Sequence, residues 1–197
     1  MNDTGFCHLI NEYFEKNHRD LVLLTPTLFE ANRLLNILTS YTDKVLLFPM
    51  DDFLTSMAIA ISPDLKITRL ETINALLSKE KHIIVTHLMG FLRFLPEKEL
   101  YLKKIIKIKK NMDYNPKKLA LDLINIGYNK DTIVSKTTDM SFHGFIIDLF
   151  PISSSNPIRI EFFGDEIDSI RYFDSETQRT ISEIDEILIY PASEFLL

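Results

Sequence analysis

The chain has 197 residues, 46% hydrophobic and 25% charged, enough for a buried core and unlike a disordered or fibrous protein. Its net charge of -6 at pH 7 excludes a molecule-wide basic footprint for nucleic acid, so any such contact must be local or made by a partner. Cys7 is the single cysteine, no apolar run approaches the roughly 20 residues of a membrane span, and the first ten residues lack a signal-peptide pattern; a reduced, cytoplasmic setting without membrane partners is expected.

A helix is expected around residues 6–17. "LVLLTP" (21–26) is a continuous apolar run ended by Pro26, as in a strand buried on both faces. Leu28, Ala31, Leu34, Leu35 and Leu38 follow at helical spacing, with Thr27 as N-cap. "KVLLFP" (44–49) gives a second buried strand, and the stripe Leu65, Leu70, Ile73, Leu76 and Leu77 a second amphipathic helix. "HIIVTH" (82–87) is a third strand. Alternation of this kind predicts an α/β layer with a parallel sheet.

Near Pro96 the character changes. "LYLKKIIKIKKN" (100–111) alternates apolar residues with lysines and reads as a half-exposed strand with a basic, solvated outer face. It lacks interleaved aromatics beyond Tyr101, so a nucleic-acid groove is disfavoured. Pro116 opens a helix that stops at Gly127. Strand-like segments then cover 132–138, 142–151 and 157–174. The expected organisation is an α/β domain over 1–95 with an inserted, smaller α+β domain over 96–185 carrying an antiparallel sheet. "EILIYP" (186–191) reads as one more buried strand, so residues 186–197 are expected to return to the first sheet. The apolar ending "EILIYPASEFLL" suggests a cut inside a longer polypeptide.

"RIEFFGDEIDSIRYF" (159–173) predicts a hairpin whose register decides its faces. A two-residue Gly164–Asp165 turn pairs Ile160 with Ser169 and opposes Glu161 with Asp168. A three-residue Gly164–Asp165–Glu166 loop pairs Ile160 with Ile170 and Ile158 with Tyr172, and is preferred because it makes one coherent apolar face. The other face then carries Arg159, Glu161, Phe163, Ile167, Ser169, Arg171 and Phe173, with Arg159 across from Arg171. Facing like charges cost roughly 0.2–1 kcal/mol unless an anion neutralises them. Two readings stand: Glu161 bridges the arginines diagonally with the phenylalanines under a neighbouring helix, or the face docks an acidic partner surface.

No catalytic constellation accompanies the hairpin. The five glycines form no P-loop, so no nucleotide cofactor is expected in this segment. Asp51 and Asp52 after the second strand read as a strand-end turn or helix cap. His82 and His87 fall on opposite faces of a strand without evident co-ligands, and no metal is expected. Cys7 reads as a half-buried helix position.

The motifs also carry a resemblance. Asp148-Leu149-Phe150-Pro151, the run Arg159–Asp174, and Thr177-Gln178-Arg179 resemble the corresponding segments of bacterial transcription-repair coupling factors, with a looser version in the excision-repair helicase UvrB. "LLTPTLFEANRLL", "LFPMDDF", "SPDLKITRLETINALL" and "HIIVTHLMGFLRFLP" are similar in family order. The resemblance implies a degenerate helicase-like (RecA-type) layer as scaffold and an inserted domain that recruits UvrA. It places the UvrA contact at Arg159, Glu161, Phe163, Arg171 and Phe173, with His143 where relatives usually have arginine, and implies that the facing arginines await carboxylates supplied in trans. It further implies a non-catalytic adaptor. ATP and Mg, RNA polymerase and double-stranded DNA would be engaged by the remainder of a longer translocase, and a C-terminal domain could mask the docking surface. The alternative is a UvrB-type ATPase and DNA-binding helicase subunit, although "DDFLTSMAIAISPDL" lacks the tyrosine-rich insertion that grips damaged DNA in UvrB.

Overall fold

Asn2 starts the first helix by accepting a hydrogen bond from the Gly5 amide, and α1 (Asp3–Asn17) follows in this computed structural model, which describes residues 2–51 and 62–194. Asp52, the rest of the 52–61 stretch considered for damage recognition, and the last three residues lie outside the described residues. β1 (Leu21–Thr25), α2 (Leu28–Leu38), β2 (Val45–Phe48), α3 (Pro63–Leu76), β3 (Ile83–His87) and the short α4 (Leu88–Phe91) complete one unit, Met1–Phe94. Thr27 caps α2 through the Glu30 amide. The three strands form a parallel sheet in the order β1-β3-β2, with Val85 aligned to both Leu23 and Leu47.

The core of this unit joins Cys7 and Phe14 of α1 to Ala31 and Leu38 of α2 and to Val45, Ile83 and Val85 of the sheet. Burying the Phe, Leu, Val and Ile side chains among them stabilises by about 1.5–3 kcal/mol each. Cys7 is fully buried rather than half-buried, and that burial raises its thiol pKa. β3, in the centre, is buried throughout. β1 is not buried on both faces as its apolar run suggested: it is an edge strand, and Val22 and Leu24 remain half-exposed. β2, the other edge, is closed by side chains of α3. Thr72 Oγ1 donates to the Leu47 carbonyl at 2.5 Å, and the buried Arg69 donates to the Pro49 carbonyl at 3.1 Å. Asp51 stands just past β2, and His87 Nε2 accepts from the Met50 amide at 3.0 Å.

The second unit, Leu95–Leu197, contains α5 (Lys98–Lys103), β4 (Ile106–Lys109), α6 (Pro116–Asn125), β5 (Asn129–Lys130), β6 (Asp139–His143), β7 (Ile146–Leu149), β8 (Ile158–Phe163), β9 (Glu166–Phe173), β10 (Thr180–Glu183) and β11 (Glu186–Ile189). Six strands form one sheet in the order β10-β9-β8-β7-β6-β5, antiparallel except at β5–β6. Its inner face buries Met140, Ile147, Leu149, Ile158, Ile160, Ile167 and Ile170, while α6 contributes Leu119 and Leu123 to the buried core. The chain is therefore mixed α/β, with one parallel and one largely antiparallel sheet.

Four local expectations are corrected. Residues 100–103 belong to α5 and only 106–109 form the strand, because a lysine–apolar mixture fits a short helix as well as an edge strand. Residues 132–138 are turn rather than strand, and 142–151 holds the turn of the β6–β7 hairpin rather than one strand. The closing strand does not join the first sheet. β11 pairs antiparallel with β4, aligning Ile187 with Ile108 and Ile189 with Ile106, while Lys107 bonds Glu186 at 3.0 Å. The chain beyond it is tied to the end of α6: the Ala192 amide donates to the Ile126 carbonyl, and Gly127, at φ 101°, lies where a Cβ would meet Ser193 at 2.6 Å.

Candidate functional site

Strand pairing builds the outer face of the six-stranded sheet row by row. One row runs Ser141, Asp148, Arg159, Arg171, Glu183 from β6 to β10, and the next runs His143, Ile146, Glu161, Ser169. Arg159 and Arg171 do face each other, as the odd register required. The turn that achieves this differs from the expected one. Gly164, at φ 67°, and Asp165 form a two-residue loop with Phe163 opposite Glu166, and a bulge then skips Asp168 so that Glu161 meets Ser169. The bulge also turns Ile167 inward, where it is fully buried, and not onto the arginine face.

The arginines are not waiting for outside anions. Asp148, directly opposite Arg159, binds it through both carboxylate oxygens at 2.6 and 2.7 Å. Glu161, diagonal to Arg171, binds it in the same forked way at 2.8 and 2.5 Å and accepts from the Ser169 hydroxyl at 3.0 Å. These side chains are only 14–30% exposed, so the pairs are shielded more than ordinary surface bridges. The Arg171 hydrogen bonds hold the Glu161 carboxyl below its usual value, and Asp148 keeps Arg159 more firmly protonated.

Two further groups fix Arg159. Its guanidinium lies 4.7 Å from the centroid of the Phe173 ring, and its Nη2 donates to Gln178 Oε1 at 3.1 Å. Gln178 adopts a left-handed φ of 59°, in a loop pinned by Asp174 hydrogen bonds to the Thr177 amide and hydroxyl. The Thr177-Gln178-Arg179 motif thus clamps the hairpin arginine, a role its spacing did not reveal. Phe173 is buried under that guanidinium and is not part of an accessible surface.

What protrudes instead is apolar. Phe163 is 83% exposed at the end of β8, and Phe145 is 60% exposed at the β6–β7 turn. The Phe162 amide bonds the Phe145 carbonyl at 2.9 Å, bringing the two hairpin tips side by side. Ile146 is partly exposed between them and His143. His143 is exposed at the end of β6 with Nε2 3.3 Å from the Thr132 carbonyl, and lies roughly 10 Å, two strand spacings, from Glu161. Phe145 was missed because one aromatic in a Gly-containing stretch has no periodic signal. Asp148 carries no sequence signal of its pairing beyond its motif, because β7 and β8 meet across an irregular loop. The result is a self-neutralised charge lattice flanked by aromatic tips, suited to protein association.

Residues 106–195, which contain this entire face, match the family model described as the UvrB interaction domain. The transcription-repair-coupling factor of Bacillus subtilis (strain 168) is 35% identical over 184 residues, 92% of this chain. The chain is a homologue of the transcription-repair-coupling factors. Those of Staphylococcus epidermidis and Staphylococcus haemolyticus are each 32% identical over 199 residues, 100% of this chain. The chain spans 16–17% of the length of these transcription-repair-coupling factors. No helix among the described residues is long and apolar enough to cross a membrane.

Proposed function

We propose that this chain is a non-catalytic adaptor segment of a transcription-coupled DNA-repair translocase, and that its six-stranded sheet docks UvrA. The carrying observation is that the UvrB-interaction match spans the strands presenting the charge lattice and the Phe163 tip. The reading assigns residues 1–95 to a degenerate helicase-like scaffold and the docking role to the unit that follows it. Phe163, with Phe145, supplies the apolar anchor. Arg159, Glu161, Arg171 and His143 form the polar surround, and Phe173 acts from beneath by supporting Arg159. ATP and Mg, RNA polymerase and duplex tracking belong to the rest of such a translocase, where a C-terminal domain masks the same face.

Affinity capture of UvrA by the 197-residue chain tests this. Truncating an exposed aromatic anchor costs about 2 kcal/mol or more, so Phe163→Ala is expected to weaken UvrA binding by roughly 30-fold while leaving the melting curve in place. Undiminished UvrA binding by a Phe145→Ala/Phe163→Ala chain would remove the face.

A further inference from the structure

Over half of the lysines of this chain are concentrated in one stretch. Residues 95–118 hold eight lysines, no arginine and three carboxylates, in a molecule whose net charge is -6. The fold gathers part of this set around a cavity of about 400 Å³. Lys103 and Lys104 approach it from the end of α5, Lys107 from β4, and Tyr114, Asp122 and Asn125 from the α6 side. The one carboxylate in the wall is already engaged, since Asp122 accepts the Tyr114 hydroxyl at 2.7 Å. Burial and then that bond push the Tyr114 hydroxyl up to about 12. Lys103 has no ion pair among the described residues, and the Lys107–Glu186 bridge is more than half exposed on both sides, hence easily exchanged.

We propose that this cavity seats a phosphate of a nucleic-acid backbone, with the flanking lysines neutralising neighbouring phosphates. Ammonium groups bind phosphate oxygens as point charges and need no forked geometry. The lysines continue past the cavity along β4 at Lys109 and to the start of α6 at Lys117 and Lys118. α6 spans about 15 Å, comparable to about four phosphate steps of one strand at roughly 3.4 Å each. A protein carboxylate is the poorer fit, because forked guanidinium recognition is unavailable on a patch without arginine. Tyr101 is buried, and the partly buried Tyr114 ring has Lys118 Nζ 5.9 Å from its centroid and its hydroxyl held by Asp122, so the site is built for phosphate rather than for stacking along a run of bases. The site lies on α5, β4 and α6 and is joined to the β8–β9 turn where the Tyr114 amide donates to the Asp165 carbonyl at 2.7 Å, but Phe163 does not line it and the proposal does not depend on the UvrA reading.

The test is fluorescence anisotropy of a labelled 20-mer, single-stranded and duplex, titrated with the 197-residue chain at 50 and 200 mM KCl. For three neutralised phosphates of duplex DNA, the salt increase is expected to weaken binding about 40-fold. Lys103→Glu with Lys107→Glu is expected to weaken it at least tenfold at 50 mM KCl, Lys103→Gln with Lys107→Gln less, and Lys16→Gln, an exposed α1 position, not at all. Both lysines are exposed, so circular dichroism of the variants should match the parent chain. Salt-independent binding, no binding, or full binding by the charge-reversed chain overturns the proposal. Displacement by polyglutamate at equal charge overturns it in favour of an acidic protein, and displacement by micromolar inorganic phosphate or ATP in favour of a small ligand.

Discussion

In the parallel sheet, polar side chains at the strand ends serve the backbone: Thr72 and Arg69 of α3 and Thr86 of β3 donate to the Leu47, Pro49 and Phe48 carbonyls of β2. In the six-stranded sheet they serve one another: Asp148 with Arg159, and Glu161 with Arg171 and Ser169. The first arrangement is buried and closes an edge. The second is half-exposed, stiffens a surface and leaves remaining guanidinium hydrogens and aromatic tips for another molecule. Chemically similar side chains thus act as internal fasteners in one unit and as a presented lattice in the other.

Three measurements would break or sharpen that contrast. Replacing Arg69 by Ala strips a buried donor from the Pro49 carbonyl and opens a cavity, so a loss of about 3 kcal/mol in urea unfolding is expected. A loss near zero would mean that the parallel sheet does not rely on its fasteners. Asp148→Ala leaves Arg159 half-buried without its anion. Allowing for its partial exposure, about 1–2 kcal/mol is expected, with a coupling of about 1 kcal/mol in a double-mutant cycle with Arg159→Met. Additive single mutants would reduce the lattice to an incidental contact. The smallest effect concerns pH. Glu161 has a folded pKa below the usual 4.5, so its contribution is fully present above 4.5 and is lost as pH falls through the depressed folded value. A Glu161→Gln chain should therefore show a shallower acid limb than the parent chain below pH 4.5, and parallel limbs would contradict the pairing.

Much of the fold is legible in the sequence where periodicity is strong and local. Thr27 capping, the three apolar strands and the Arg159–Arg171 register all follow from short-range pattern. The rest is set by partner strands distant in the chain. Asp148 reaches Arg159 only because β7 and β8 pair across an irregular loop, and β11 finds β4 from nearly 80 residues away. β10, with all four residues exposed, has no alternation to detect. An odd register was legible between the arginines, but the hairpin can reach it by a longer loop or by a bulge, and the hydrophobic pattern alone does not choose between them.

The residue skipped by the ladder, Asp168, has a consequence for length variation in this hairpin. Deleting it would leave Glu161 against Ser169 and Phe162 against Ile167 in an unbroken run, with each side chain still on its present side. Deleting Ser169 instead would leave Asp168 against Glu161, two carboxylates in opposition. The strand can therefore shed one particular residue and keep both its arginine spacing and its projecting phenylalanine, so shorter natural or designed versions are expected to lose that position first.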